Sequence, residues 1–265
     1  MIRRLAPRQR EIREREALIL DTARGVLLKD GYYGLTMGRI ADESRCPKGT
    51  TYQHFSCKED VVLALALQSH QRRFQMMSRG AAFQGKSRER LAGVGEGVGL
   101  FTRLHREDAE IIHVASGSIR EKAARQRVEA VLRLEREVVD LVRGILLDAV
   151  SREELALEGF VTVERMTFAF WSLIDGGVTL SLEGVPEHVL GSKNALHDLW
   201  LAYNVLADGY GWRPLFREWD WEETFAQVRR SVFPKEAQEL YGEGAWYGDA
   251  GKVHPRYTHY WPETS

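Results

Sequence analysis

"TMGRIADESRCPKGTTYQHFSCKED", residues 36–60, decides the fold of the chain. Thr36 is an N-cap candidate, and Met37, Ile40 and Ala41 give the residues after it one apolar face over a short helix ending near Ser44. Arg45 and Cys46 leave room only for a tight turn, and Pro47 suits the first turn of another helix, where its missing N–H costs nothing. That piece is polar, with Tyr52 and Phe55 as its apolar anchors, and Lys58 opens a fourth helix. Two short helices at this spacing form a helix-turn-helix. Its second helix enters a major groove and must be polar. Hydroxyls and an amide of short reach (Thr50, Thr51, Gln53) suit base edges, and Gly49 lets the backbone approach. Lys48, Tyr52, His54 and Lys58 suit phosphate oxygens.

The agreement extends in both directions. Residues 17–65 resemble the DNA-binding domain of the TetR family of bacterial transcriptional regulators, whose pattern runs Gly-aromatic, Thr, Ile-Ala, then KGTxYxHFxxKE. Here it reads "GYYGLTMGRIADESRCPKGTTYQHFSCKED". The resemblance implies an all-α fold of nine or more helices, with a helix-turn-helix head and a larger C-terminal helical domain. It also implies a homodimer on double-stranded operator DNA and a small-molecule effector bound in the C-terminal domain. Carried position by position, it puts DNA contacts on Thr36, Lys48, Thr50, Thr51, Tyr52, His54 and Lys58, with Arg39 as a phosphate partner. Two positions depart from the pattern. Arg45 stands where the family favours Gly, so the turn asks a non-glycine residue for positive φ. Cys57 stands where the family favours Ser.

The charge distribution agrees. The 265-residue chain holds 37 Lys and Arg against 38 Asp and Glu, but residues 1–60 hold 12 against 9, and the first 15 carry six Arg and two Glu. The basic end is +3 and the remainder −4, which suggests a polyanion partner for that end. Arg3, Arg4, Arg8 and Arg10 form an arm that either enters a minor groove or is an unstructured terminus. No run of 18 apolar residues is present, the basic start has no apolar segment behind it, and two cysteines make no disulfide framework. A soluble, cytoplasmic protein with no membrane partner is expected. No catalytic triad, phosphate loop or dinucleotide fingerprint appears, so no enzyme and no cofactor are expected.

The expected division is residues 1–60 for the DNA-binding domain with its arm and 61–265 for the ligand-binding and dimerisation domain. Helical patterns fill both. Ile12, Ala17, Leu20, Ala23, Val26 and Leu27 mark the first, stopped by Gly31. Val61, Val62, Leu65 and Leu67 start the fourth, which runs towards Ser78. Ser87 can cap 88–106, and Val128, Val131, Leu134, Val138, Leu141, Ile145 and Ala149 stripe 121–150. Residues 162–182 are apolar all round, which predicts burial on most sides, although "GVTLSLEGV" could be a strand. Residues 192–208 are another helix, and Trp221, Phe225, Val228 and Val232 mark the last. The helices 162–182 and 192–208 are the expected dimer faces, with Trp171 and Leu199 as probes of the seam. From Gly242 the chain is rich in Gly, Tyr and Trp without period.

Four features outside the recognition helix have two readings each. Gly93, Gly95, Gly97 and Gly99 recur at every second residue, and close approach of another helix is favoured over a deformable ligand wall. His105, Asp108, Glu110 and His113 lack the spacing of a metal motif and are read as surface groups. Cys57, beside Lys58 at a helix start, is a replaced cap rather than a redox sensor. The cluster Phe168, Phe170, Trp171 and Asp175 is more often core than pocket. The expected ligand site lies between the 88–106, 121–150 and 162–182 helices and is lined by Phe101, His105, His113, Phe168, Trp171 and Asp175, a set the resemblance does not itself identify. A ligand there would tilt the fourth helix and move the paired recognition helices out of register. The alternative is an architectural DNA-binding protein of the nucleoid that recruits a protein partner without a small ligand.

Overall fold

The computed structural model describes residues 7–115, 117–185, 189, 191 and 195–242. Among these the elements are α1 (Pro7–Gly34), α2 (Met37–Ser44), α3 (Lys48–His54), α4 (Lys58–Ala81), α5 (Ser87–Leu104), α6 (Arg106–Val114), α7 (Ser118–Lys122), α8 (Arg125–Ser151), α9 (Val163–Leu182), α10 (Ala195–Gly209), a 3-10 turn (Phe216–Glu218), α11 (Trp221–Ser231) and α12 (Pro234–Tyr241). The all-α class is confirmed, with no strand among the described residues. The "GVTLSL" segment is the C-terminal end of α9, not a strand. Arg3, Arg4 and the sequence after Gly242 lie outside the described residues.

The chain forms two compact units, residues 1–71 with 110–135 and residues 72–109 with 136–265. The contacts thus put α7 and the start of α8 in the same unit as α1–α3, and α4 contributes residues to both units.

In the first unit, Ile19, Leu20, Ala23, Val26 and Leu27 of α1 pack with Leu35, Ile40, Phe55, Val61 and Leu65. The helix starts earlier than its apolar stripe. Ile12 and Ala17 are exposed and Ile19 takes the core position, so Arg8 and Arg10 belong to a helix rather than to a free arm. Gly31, at φ 69°, breaks α1 at the position expected for its C′ glycine. Ile111, Ala115, Ile119 and Val131 complete the core. Asp60 is a second tie. It is buried, it accepts from the Ser56 backbone N–H at 3.0 Å and from the Ala124 N–H at 2.5 Å, and the Ser56 hydroxyl also donates to it. One carboxylate in the first turn of α4 therefore fixes both the loop before that helix and the entry to α8.

In the second unit, the alternate glycines of α5 are explained by contact. A Cβ on Gly93 would lie 2.5 Å from the Gly80 carbonyl oxygen, one on Gly80 would lie 2.1 Å from the Gly93 carbonyl oxygen, and one on Gly97 would lie 2.8 Å from the Met76 carbonyl oxygen. Helix α4 thus crosses α5 backbone to backbone. A Cβ on Gly95 would fall 1.7 Å from the Trp200 ring. The other side of α5 carries Glu96, buried and paired with Arg229 of α11 (Nε–Oε1 2.7 Å), while Phe233 packs near Gly97. Burial opposes the charge on Arg229, but Glu96 outweighs it and holds the guanidinium pKa above its ordinary value. Helix α12, which the sequence pattern did not mark, begins with Pro234 and buries Ala237 and Leu240.

Arg88, 0% exposed, holds the other end of α5. Its guanidinium donates to Asp208 at 2.6 Å, to the carbonyls of Trp212 (2.8 Å) and Pro214 (2.6 Å), and to both oxygens of Asn204 at 3.0 Å. Ser87, expected to cap α5, is instead its first residue. Its hydroxyl donates to Glu154 and accepts from the Trp212 indole N–H at 3.0 Å.

The crossing makes a stability prediction with an internal control. Gly93→Ala should lower stability by about 1–3 kcal/mol through overpacking. Gly25→Ala, on an exposed face of α1 with no atom within 4 Å of the added carbon, should raise it by about 0.5–1 kcal/mol. Urea unfolding of the two variants checks the signs.

Candidate nucleic-acid interface and ligand cavity

Thr36 caps α2, its hydroxyl accepting the Arg39 N–H at 3.2 Å. Arg45 closes the turn at φ 55°, ψ 26°, so the non-glycine residue does carry the left-handed conformation, and its N–H reaches the carbonyl of Asp42. Pro47, at φ −53°, stands at the N-cap of α3, one residue before the helical turn expected for it. Lys48, Gly49, Tyr52 and Gln53 are exposed on α3, Thr50 and His54 are half-buried, and Tyr52 is 54% exposed. No atom comes within 4 Å of where a Gly49 side chain would start.

Thr51 is a correction. It is fully buried and donates to the Pro47 carbonyl at 3.4 Å, so it packs the inner face of α3 rather than facing outward. Arg39 also differs from a free phosphate ligand. Its three nitrogens meet Glu43 (2.6 Å), Asp30 (2.6 Å) and the Gly34 carbonyl (3.4 Å), which ties α1 to α2. The Lys58 ammonium donates to the Tyr32 carbonyl at 3.1 Å and lies 3.9 Å over the Tyr32 ring. An ammonium has three donors, so this use leaves others. The Cys57 thiol faces the Lys122 carbonyl at 3.5 Å. Two exposed residues beside the motif were not singled out for this face by the sequence: Tyr33, 92% exposed beyond the Gly31 break, and Arg45 at the turn. The aromatic doublet after a helix-ending glycine was the available signal for Tyr33.

The second unit contains an apolar cavity of about 50 Å³ between α4, α5, α8, α9 and α10. Val94, Val98, Val138, Val142, Phe170 and Ile174 form its walls. Of the six expected lining residues, the structure brings Trp171 and Asp175 to it. Phe101 is buried elsewhere on α5, with the His105 ring 5.6 Å away. Phe168 points outward at 72% exposure, and His113 belongs to the first unit. Asp175 is exposed and so needs no buried partner. Asp108 is bound by Arg72 at 2.5 and 2.7 Å, and no cluster of metal-ligating groups occurs among the described residues. The cavity also has a wall residue the sequence did not suggest, Tyr203, packed on Phe170 with ring centroids 4.7 Å apart.

Helix α9 is the main departure from expectation. It is apolar all round but not buried all round: Val163, Met166, Thr167, Phe170 and Ser181 are inside, while Phe168 and Leu180 face out. Val205 of α10 is 68% exposed, and α9 packs along α10.

The Tyr32 hydroxyl donates to Glu59 at 2.6 Å. Burial, reinforced by Glu59, pushes the Tyr32 pKa up to about 12. Burial works against the Glu59 carboxylate, yet the Tyr32 hydroxyl and its own backbone N–H keep its pKa below the ordinary value. A raised phenol pKa gives stability that is complete below pH 10 and is lost as pH rises towards 12. The stability gap between wild type and Tyr32→Phe should therefore close over that window in urea melts.

Residues 19–65 match the family model of the bacterial regulatory proteins, tetR family. No curated protein matched the sequence. Solved structures with a similar fold include a protein of Syntrophomonas wolfei assigned to the TetR family (TM-score 0.56, 15% identity, 74% of this chain and 95% of that one). A protein of unknown function from Rhodococcus sp. RHA1 gives 0.54, 22%, 74% and 95%. A transcriptional regulator of the TetR/AcrR family from Thermobifida fusca gives 0.54, 19%, 74% and 98%.

Proposed function

We propose that the chain, whose residues 19–65 match the model of the bacterial regulatory proteins of the tetR family, is a transcriptional repressor whose operator affinity is changed by a small, largely apolar ligand. The observation that carries the reading is α3: a polar helix exposed along Lys48, Gly49, Tyr52 and Gln53, held from behind by buried Thr51 and Phe55. In this reading Thr50 and Gln53 meet base edges, and Lys48, Tyr52, His54 and Lys58 meet phosphates, with Thr36 and Arg39 holding α2 in place. The protein works in the cytoplasm and has no enzymatic activity. No described helix is long and apolar enough to cross a membrane.

Two recognition helices are needed to read a palindrome with half-sites about 34–36 Å apart, so two copies act together. The open apolar side of α9 and α10, with Phe168, Leu180 and Val205, supports these helices as the self-association face. The cavity supports the ligand. At about 50 Å³ it has room for only a few waters, so a molecule must widen it on entry. Such a ligand changes operator affinity by binding two arrangements of the chain unequally, typically by about 1–3 kcal/mol.

Genome-wide binding followed by a ligand screen on the complex tests the reading. A few promoter sites released by an apolar molecule support it, and dozens of dispersed sites insensitive to small molecules overturn it. On an identified operator, Lys48→Ala should weaken binding to all sequences and lower the salt slope by about one ion. Thr50→Ala should shift sequence preference, whereas Thr51→Val should change stability and leave preference alone. For assembly, the informative positions are Phe168 and Val205. Trp171 lines the cavity and Leu199 packs on Gly177, so charges there would disturb the fold itself. Phe168→Glu and Val205→Glu are expected to give monomers in sedimentation with helicity preserved. Normal dimers from both place the seam elsewhere.

A further inference from the structure

Tyr203 is 1% exposed, lies on the wall of the cavity, and its hydroxyl has no hydrogen-bond partner. Burial drives its pKa well above the ordinary tyrosine value, so the group is a neutral phenol whose O–H is available to donate. An orphaned buried hydroxyl costs free energy that a phenylalanine in the same place would avoid. The ring itself is fully packed, by Phe170 at 4.7 Å and Trp200 at 5.2 Å, so packing accounts for the aromatic ring and leaves the oxygen unexplained.

The surroundings narrow the choice of partner. The other polar lining groups are Arg73, Thr167 and Asp175, against eleven residues that are apolar or glycine. Thr167 already donates to the Val163 carbonyl at 2.7 Å. Asp175 is exposed. A smaller void of about 20 Å³ adjoins the cavity and shares Gly95, Val98, Ile174, Val178 and Tyr203 with it, adding Gly99, Leu199 and Trp200. Tyr203 is thus one of five residues that border both spaces, and among those five it alone carries a polar side-chain group.

We propose that the ligand is an uncharged, predominantly apolar molecule carrying a hydrogen-bond acceptor such as a carbonyl, and that Tyr203 is the residue that recognises this acceptor. The proposal rests on the ligand-binding reading of the cavity above and gives it a chemical class. The valine-rich walls supply burial and disfavour a charged head, which would lose its water on entering them, and the Arg73 side chain on the lining already has an interaction within the protein. The phenol supplies the discrimination: a ligand without the acceptor leaves the O–H unsatisfied, and one with it repays that cost.

The test uses the full-length protein and two probes of nearly equal shape, acetophenone and ethylbenzene, by calorimetric titration. The wild type should bind acetophenone about five- to tenfold more tightly, the worth of roughly one hydrogen bond. Tyr203→Phe should abolish that preference while binding ethylbenzene as before, and its melting temperature without ligand should be equal to or above that of the wild type. Equal binding of the two probes by the wild type overturns the proposal and leaves the apolar-ligand reading standing. So does a preference that survives in Tyr203→Phe. A variant that melts lower shows that the hydroxyl is already satisfied within the protein, which also overturns the proposal. Binding of neither probe overturns the proposal and the apolar-ligand reading together. The wild-type comparison of the two probes needs no variant to fold.

Discussion

The second unit depends on a guanidinium buried away from solvent. Arg88 stands in the first turn of α5, and its donors are consumed by α10 and by the 212–214 segment. Moving an arginine out of water costs several kcal/mol, which is repaid only when nearly every donor finds an acceptor and an opposite charge is close. Asp208 supplies the charge and four carbonyl or amide contacts supply the rest, leaving Nε as the one donor of the group without a partner. The loop after α10 ends its Trp212 and Pro214 carbonyls on Arg88, while its Arg213 N–H donates to the Glu154 carbonyl at 2.7 Å and the Trp212 indole to Ser87 at 3.0 Å. The same loop brings Trp212 into the core beside Phe170. The aromatic wall behind the cavity is therefore tied to polar interactions.

Helix α5 then has to satisfy three different neighbours along one rod. Gly93 and Gly97 remove side chains so that α4 can cross in backbone contact. Glu96, between them in sequence, faces the other way and is neutralised by Arg229. Val94 and Val98 face the cavity. Glycine in a helix costs about 1 kcal/mol each relative to alanine, and this segment accepts that cost repeatedly because dispersion and backbone packing at the crossing offset it. Replacing the glycines by alanines would strengthen the isolated helix and destroy the crossing.

What the sequence revealed follows from which constraints are local. The helix-turn-helix was legible because each of its parts has a nearby cause: Thr36 bonds a residue three positions on, Arg45 turns within a tight bend, and Gly31 stops its own helix. The glycine series was legible as a packing signal for a related reason, since repeated glycine weakens a helix unless a neighbour comes close enough to need the space. The interior of the second unit was much less so. Arg88 reads as an ordinary charged residue in a helix start, and nothing in its neighbourhood announces that its partners lie 116 to 126 positions away. Tyr203 was hidden likewise, in a helix where an aromatic residue needs no special cause. The inward position of Thr51 is not legible, because a hydroxyl beside another hydroxyl gives no clue to which one faces inward. The rotation of α3 decides that, and buried Phe55, four residues on from Thr51, lies on the same inner face.

Helix α9 fails expectation in a different way, since its apolar composition holds and only the burial inferred from it is incomplete. A helix apolar on all sides must be covered on all sides, by its own chain or by another. Within one copy the cover is partial: Phe170 and Met166 are inside, and Phe168 and Leu180 are not. No local rearrangement repairs this, because turning α9 to bury Phe168 would expose Phe170, which contacts Tyr203, Tyr210 and Trp212. The aromatic cluster fixes the rotation of the helix, and the rotation fixes which apolar residues remain outside. The exposed stripe is thus a consequence of how the core is built, and a second apolar surface is the physical answer to it.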